Sequence, residues 1–260
     1  MPARSALFDV YGDHLRARGG QAPVAALVRL LAPLGILPPA VRTAVSRMVR
    51  QGWLEPIPVP GGRGYRATPR CNHRLDDALA RVYRVGAPAW DGCWHLLVVS
   101  HVADRGARER VRAGLGYLGY ACLSGRTWVA PHSSPEVSAL LAAEGASAER
   151  FSSAYDGDPA GLVLRAWDLT ALGSAYERWL DEAALLVRGA RAGGGSDVDA
   201  YATRCQLVHE WRKFLFTDPG LPADLLPARW PGERAATFFA AEAERLRPAA
   251  ARYVETCLAV

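Results

Sequence analysis

The sequence predicts an α+β protein, and three observations carry that assignment. The first 75 residues alternate apolar helical faces with a proline-spaced, glycine-tipped hairpin. Residues 90–160 run strand, helix, strand, strand, helix, strand, and everything from about residue 161 onward is patterned as helix. The chain has 260 residues, 50% hydrophobic and 22% charged, enough material for more than one core.

In the first part, a helix is expected over roughly residues 5–17. A second follows in "PVAALVRLLAPLG", with Val24, Leu27, Leu31 and Leu34 as its core positions. A third begins at Pro38 and Pro39, which suit a first helical turn because a missing N–H there is no loss. Val41, Ala44, Val45, Met48 and Val49 form its apolar face. Thr43, Ser46, Arg47 and Arg50 share the opposite face, flanked by Arg42, with no carboxylate among them. Gly52 is placed to end the helix.

Trp53 and Leu54 then open a strand in which Pro56, Pro58 and Pro60 share one phase, so their missing donors face a single edge. "GGRG" turns the chain, and Arg63, Tyr65, Arg66 and Thr68 lie on the tip and the return strand. Three helices and a hairpin are the layout of a winged helix-turn-helix, whose third helix enters the DNA major groove while the hairpin reaches phosphates or the minor groove. DNA contacts are therefore expected from Arg42, Thr43, Ser46, Arg47, Arg50, Arg63, Tyr65 and Arg66.

Residues 76–89 form an expected linker helix, with Leu79, Val82 and Tyr83 on one side. Residues 90–160 then carry "WHLLVVS", a helix with Val111, Leu115 and Leu118 inward, the hairpin "YACLSG"/"RTWVAP", the helix "SPEVSALLAAEG" and the strand "AERFSSAY". That order is ferredoxin-like, βαββαβ. Residues 161–260 make the expected helical C-terminal domain, interrupted by "GARAGGGSD" and by the loop "PGLPADLLPARWPG", with Pro248 a kink or joint in the last helix.

Charge is distributed unevenly. Residues 1–75 hold eleven arginines against Asp9, Asp13 and Glu55, a surplus of eight, whereas the remainder holds 20 basic and 23 acidic side chains. A basic N-terminal third on a mildly acidic body points to a localised anionic partner. Five scattered cysteines form no CxxC, and six histidines form no HxxxH or HExxH, so nothing proposes a metal or a disulfide framework. No GxSxG, P-loop or Ser/His/Asp spacing supports an enzyme. With no apolar run of membrane-spanning length and no signal-peptide pattern, a cytoplasmic protein is expected.

Four stretches together resemble the PaaX family of phenylacetic-acid-degradation repressors: "YGDHLRARGG", "VRTAVSRMVRQGWLE", "PAWDGCWHLLVV" and "LVHEWRKFLFTDPGLPADLLPARWPG". The resemblance implies a dimeric transcriptional regulator with a winged-helix head, a ferredoxin-like middle and a helical C-terminal domain. It also implies an acyl-coenzyme-A effector, typically phenylacetyl-CoA, that lifts repression, and no cofactor. A two-fold dimer on a palindromic operator fits, because one head covers too little sequence to be selective.

The middle part also resembles the small ferredoxin-like nucleases associated with CRISPR systems, which keep an aspartate near the end of the first strand. Here that position reads Val99, Ser100, His101, with Asp104 further on. A nucleic-acid-processing protein would need metal-holding carboxylates there. For the effector, His209 and Lys213 share a helix face beside Arg212 and could meet phosphates or a thioester. The alternative is a helix-end histidine bonded inside the fold. Tyr176, Trp179 and Trp211 either line an apolar slot or belong to the core.

Overall fold

The computed structural model describes residues 1–59, 62–82, 90–102, 104–192 and 195–259. The protein is α+β, with two small sheets, and it divides into two compact units. The first comprises residues 1–85, 177–212 and 234–260, and the second residues 86–176 and 213–233.

The first unit begins with α1 (Ala3–Val10), continued by a π-helical turn (Tyr11–Leu15) and a 3-10 turn (Arg16–Arg18) that stops at Gly19, in the left-handed conformation at φ 83°. A short strand β1 (Gln21–Pro23) precedes α2 (Val24–Leu31), which buries Ala26, Leu27, Leu30 and Leu31. Of the expected α2 core positions, Val24 and Leu34 are only half-buried.

Helix α3 (Pro38–Arg50) follows, with Pro38 at its first position and Val41, Ala44, Val45 and Met48 buried. Gly52, at φ 72°, lets the chain reverse so that the Trp53 N–H donates back to the Met48 carbonyl. Strands β2 (Leu54–Val59) and β3 (Gly62–Ala67) pair antiparallel, with Pro56 opposite Tyr65 and Pro58 opposite Arg63. The sheet order is β1-β3-β2, which leaves proline-bearing β2 on an edge, as its absent donors require. Pro60 lies outside the described residues. β1 was not expected; a three-residue strand carries too little alternation to be read.

Helix α4 (Pro69–Val82) begins earlier than the linker helix expected over 76–89. Thr68 caps it, its hydroxyl accepting from the Cys71 N–H at 3.2 Å, and Pro69 takes the first helical position. Cys71 and Leu75 join the head core. The expected inward set Leu79, Val82 and Tyr83 lies outside the residues whose side chains are described.

Helix α9 (Asp197–Trp211) and helix α10 (Pro231–Leu258), both within the expected helical C-terminal region, pack against the N-terminal helices in the first unit. Tyr201, Cys205, Ala250, Val254 and Cys257 are buried in the same core as Leu7, Leu27, Val45 and Met48. Arg29 donates to the Cys257 carbonyl at 2.6 Å, and the Tyr253 hydroxyl donates to the Arg29 carbonyl at 3.1 Å. The physical reason is area: a three-helix head of about 70 residues has helix faces left over, and α9 and α10 cover them. Helix α10 continues through Pro248.

The second unit contains β4 (Cys93–Val99), α5 (Arg105–Tyr117), β5 (Ala121–Ser124), β6 (Thr127–Ala130), α6 (Val137–Ala143) and β7 (Ala148–Ala154). The antiparallel order β5-β6-β4-β7 is the ferredoxin-like arrangement. Leu97, Val99 and Trp128 meet Val111, Leu115, Val137 and Leu141 between sheet and helices. Gly114 lies where the two helices meet, and a Cβ there would crowd the Leu140 side chain, which would have to shift. Helix α7 (Pro159–Ala166) and the start of α8 (Leu169–Ala192) follow, and α8 passes into the first unit at Glu177.

Candidate nucleic-acid interface

Helix α3 presents Arg42, Thr43, Ser46, Arg47 and Arg50 to solvent, all exposed, while the opposite face is sealed into the core. Among the described residues no carboxylate pairs with Arg42, Arg47 or Arg50. Arg47, Arg50 and Gln51 line a shallow concavity of about 420 Å³ at the end of the helix. A cationic, hydrogen-bonding helix face on a rigid support is what major-groove reading requires.

The hairpin residues behave differently from one another. Arg63 is exposed, with its guanidinium 5.8 Å from the centre of the Tyr65 ring. The Tyr65 ring is half-buried against the core, and its carbonyl accepts from the Tyr11 hydroxyl at 2.9 Å. Arg66 sits directly across from Glu55 and pairs with it at 3.4 Å. Of the three expected hairpin contacts, Arg63 is therefore the one set out for an external anion, and Arg66 must first exchange Glu55.

Arg70 was missed in the sequence. Its guanidinium lies 4.3 Å over the Trp53 ring and donates to the Gln51 carbonyl, which fixes a further cation at the end of α3. The signal that would have found it is "TPR", a cap, a helix-opening proline and an arginine in the first turn.

Beneath this surface lies a buried polar network. Asp9 of α1, 7% exposed, accepts from His209 Nδ1 at 2.8 Å, and Arg212 Nε lies 2.5 Å from its other oxygen, close enough to pair although its N–H is not aligned for a hydrogen bond. Asp13 takes a bidentate pair from Arg204 at 2.7 Å for both contacts, and Arg204 also donates to the Ala243 carbonyl. Burial pushes the Asp9 carboxyl up from its usual value, against the pull of His209 and Arg212. Burial also pushes His14 down to about 4, against the pull of Asp13, so His14 is neutral at pH 7 beside the Cys205 thiol at 3.4 Å. The Cys205 thiol is itself pushed well up by burial.

The six residues expected to hold an effector divide between the units. In the first unit, His209 and Arg212 are committed to Asp9 as just described. Trp179 and Trp211 pack at 4.9 Å, and Trp211 stacks on Phe239 at 4.9 Å. In the second unit, Tyr176 is fully buried, stacked on Phe214 at 4.0 Å, with its hydroxyl donating to Asp218. Lys213 also belongs to that second unit. The rings expected to wall a slot fill their own neighbourhood, because each apolar face found an aromatic partner distant in sequence. His209 is buried and bonded inside the fold.

Asp104 is exposed and caps α5, accepting from the Ala107 N–H at 2.6 Å, and those N–H bonds hold its carboxyl below the usual range. Its side chain serves the helix end. Among the described residues no group of three or more His, Cys, Asp or Glu side chains is placed to hold a metal ion. Among the described residues no helix is long and apolar enough to cross a membrane.

Comparison with known proteins covers nearly the whole chain. Residues 2–68 match the model for PaaX-like protein, residues 87–160 that for the PaaX protein central Cas2-like domain, and residues 167–256 that for the PaaX-like protein C-terminal domain. Transcriptional repressor PaaX of Escherichia coli (strain K12) is 29% identical, over 96% of this chain and 82% of that protein. The solved structure of the uncharacterized protein Rv0674 from Mycobacterium tuberculosis is similar with a TM-score of 0.65 and 27% identity, covering 98% of each chain.

Proposed function

From the premise that the chain belongs to the PaaX family, we propose that it is a DNA-binding transcriptional repressor of a phenylacetate-type catabolic operon. It is a regulator and not an enzyme. The observation that carries the DNA-binding reading is the exposed face of α3, where Arg42, Thr43, Ser46, Arg47 and Arg50 have no carboxylate paired to them among the described residues, beside a hairpin bearing Arg63. Arg47 and Arg50 read bases from the major groove, and Arg63 holds backbone phosphate.

The protein works in the cytoplasm as a two-fold dimer on a palindromic or near-palindromic site, since paired half-sites supply the selectivity that one head lacks. An acyl-CoA thioester, of the phenylacetyl type, releases it. Release requires only differential affinity of the ligand for free and DNA-bound forms, and a tenfold weakening of operator binding corresponds to about 1.4 kcal/mol of coupling.

The test is selection of bound fragments from the organism's own sheared genome, repeated with a panel of acyl-CoA esters. A short set of palindromic sites, lost when an aryl-CoA ester is added, supports the reading. Uniform binding to all fragments, unaffected by any ester, contradicts it.

A further inference from the structure

We propose that the phosphates of the acyl-CoA effector are held in a cleft of the first unit, between the Tyr11–Arg18 turns and α10, by Arg16, Arg18 and Arg247. This rests on the acyl-CoA reading above and moves the phosphate site away from His209, Arg212 and Lys213. The cleft has a volume of about 810 Å³, within the roughly 300–1,000 Å³ usual for small-molecule sites.

Three of its arginines pair with carboxylates that an anion can replace. Arg16 also donates to the Asn72 carbonyl at 3.2 Å and Arg18 to the His14 carbonyl at 2.9 Å, bonds that hold the two side chains in the cleft. Arg16 pairs with Asp76, Arg18 with Glu255 at 3.3 Å and Arg247 with Glu244 at 2.6 Å, and those carboxylates are 51%, 66% and 63% exposed. Ion pairs so open to water are weak. A phosphate offers more charge and more acceptor oxygens than a single carboxylate, and guanidinium matches it bidentately. Three exchangeable guanidinium groups suit a ligand with a diphosphate and a separate ribose phosphate. Arg204, also in the lining, is different: it is 3% exposed and locked on Asp13, so it shapes the floor and adds no free charge.

The rim is made by backbone that only glycine adopts readily. Gly19 and Gly20 have φ of 83° and 64°, and the turn is closed by the Gly20 N–H donating to the Leu15 carbonyl at 2.9 Å. The cleft lies within one packed unit that also carries α3. Gly12, Arg16 and Arg18 continue α1, and Arg247 and Ala251 belong to α10. A ligand held there shifts DNA affinity to the extent that it binds the free and the DNA-bound forms differently.

Calorimetry with phenylacetyl-CoA and its 3′-dephospho analogue tests this on the full chain. Wild type should bind the thioester, and the dephospho analogue more weakly. Arg18→Ala/Arg247→Ala should weaken thioester binding at least tenfold, with the melting temperature and ligand-free operator affinity unchanged. Glu244→Gln/Glu255→Gln, which removes the competing carboxylates, should tighten binding, a gain that misfolding cannot mimic. Wild-type thioester affinity in both double variants would place the site elsewhere and leave the effector reading standing. No binding of any CoA thioester by wild type would overturn that reading and this one together. Operator affinity lost from the arginine variant without ligand would make the cleft a DNA contact and overturn the proposal.

Discussion

The first unit uses arginine in two opposite ways. On α3, Arg42, Arg47 and Arg50 are exposed and no described carboxylate answers them. A short way into the fold, Arg204 is buried against Asp13, and Arg212 is three-quarters buried beside Asp9. Exposure without a partner leaves a charge free to meet phosphate; burial with a partner makes it a structural tie. The three acids of the basic head are all taken, Asp9 by His209 and Arg212, Asp13 by Arg204 and Glu55 by Arg66. Part of the formal surplus of eight is answered from beyond residue 75, Arg16 by Asp76 and Arg18 by Glu255, and the α3 arginines are the part that faces solvent with no described carboxylate.

Breaking one of the buried ties should give the largest effect. Asp13→Asn leaves Arg204 in place without its counter-charge, and removing one partner of a buried pair costs about 3–5 kcal/mol. Denaturant unfolding should show that loss. A loss below about 1 kcal/mol would mean Arg204 is solvated and the pair is no tie.

The next effect is on pH. His14 has its folded value pushed down to about 4, against an unfolded value of 6.5. Its contribution is therefore complete above pH 6.5 and is lost as pH falls toward 4, for a total of about 3 kcal/mol. Asp9 is pushed up by burial and works in the opposite direction. The informative quantity is thus the difference between wild type and His14→Gln, whose stability should fall less between pH 6.5 and 4. Parallel profiles for the two proteins would remove His14 from the account.

Smaller again is the hairpin. Arg63→Ala should weaken binding to all sequences alike and flatten the logarithmic salt dependence by about 0.9. Glu55→Gln, which frees Arg66, should strengthen binding slightly and steepen the same slope. A change in base preference with Arg63→Ala, at constant slope, would make the tip a reader of sequence.

The same contrast explains what could be read in advance. The α3 face was legible because exposure is a property of one helix, and a helical period separates Val41, Ala44, Val45 and Met48 from the polar side without reference to anything else. The ferredoxin-like unit was legible for a similar reason: alternating strands and helices such as Cys93–Val99 and Arg105–Tyr117 specify the connections as well as the elements. The buried network was not. His209 meets Asp9 across 200 residues, and "LVHEWRKF" looks the same whether its polar groups face water or another helix. Two of the stretches that carry the family resemblance, "YGDHLRARGG" and "LVHEWRKF", supply Asp13, His209 and Arg212 to this one network. The available clue was Asp9 itself, a carboxylate among Ala6, Leu7 and Val10 on the buried face of α1. An acid at a core position needs a cationic partner.

Operator affinity of Arg47→Ala, measured by fluorescence anisotropy at fixed salt alongside its thermal unfolding, tests the central claim most directly. The account predicts a loss of about 1–3 kcal/mol in binding to the operator, a smaller loss on unrelated DNA, and an unchanged melting temperature. Wild-type operator affinity in a folded Arg47→Ala protein would contradict the assignment of α3 as the reading helix.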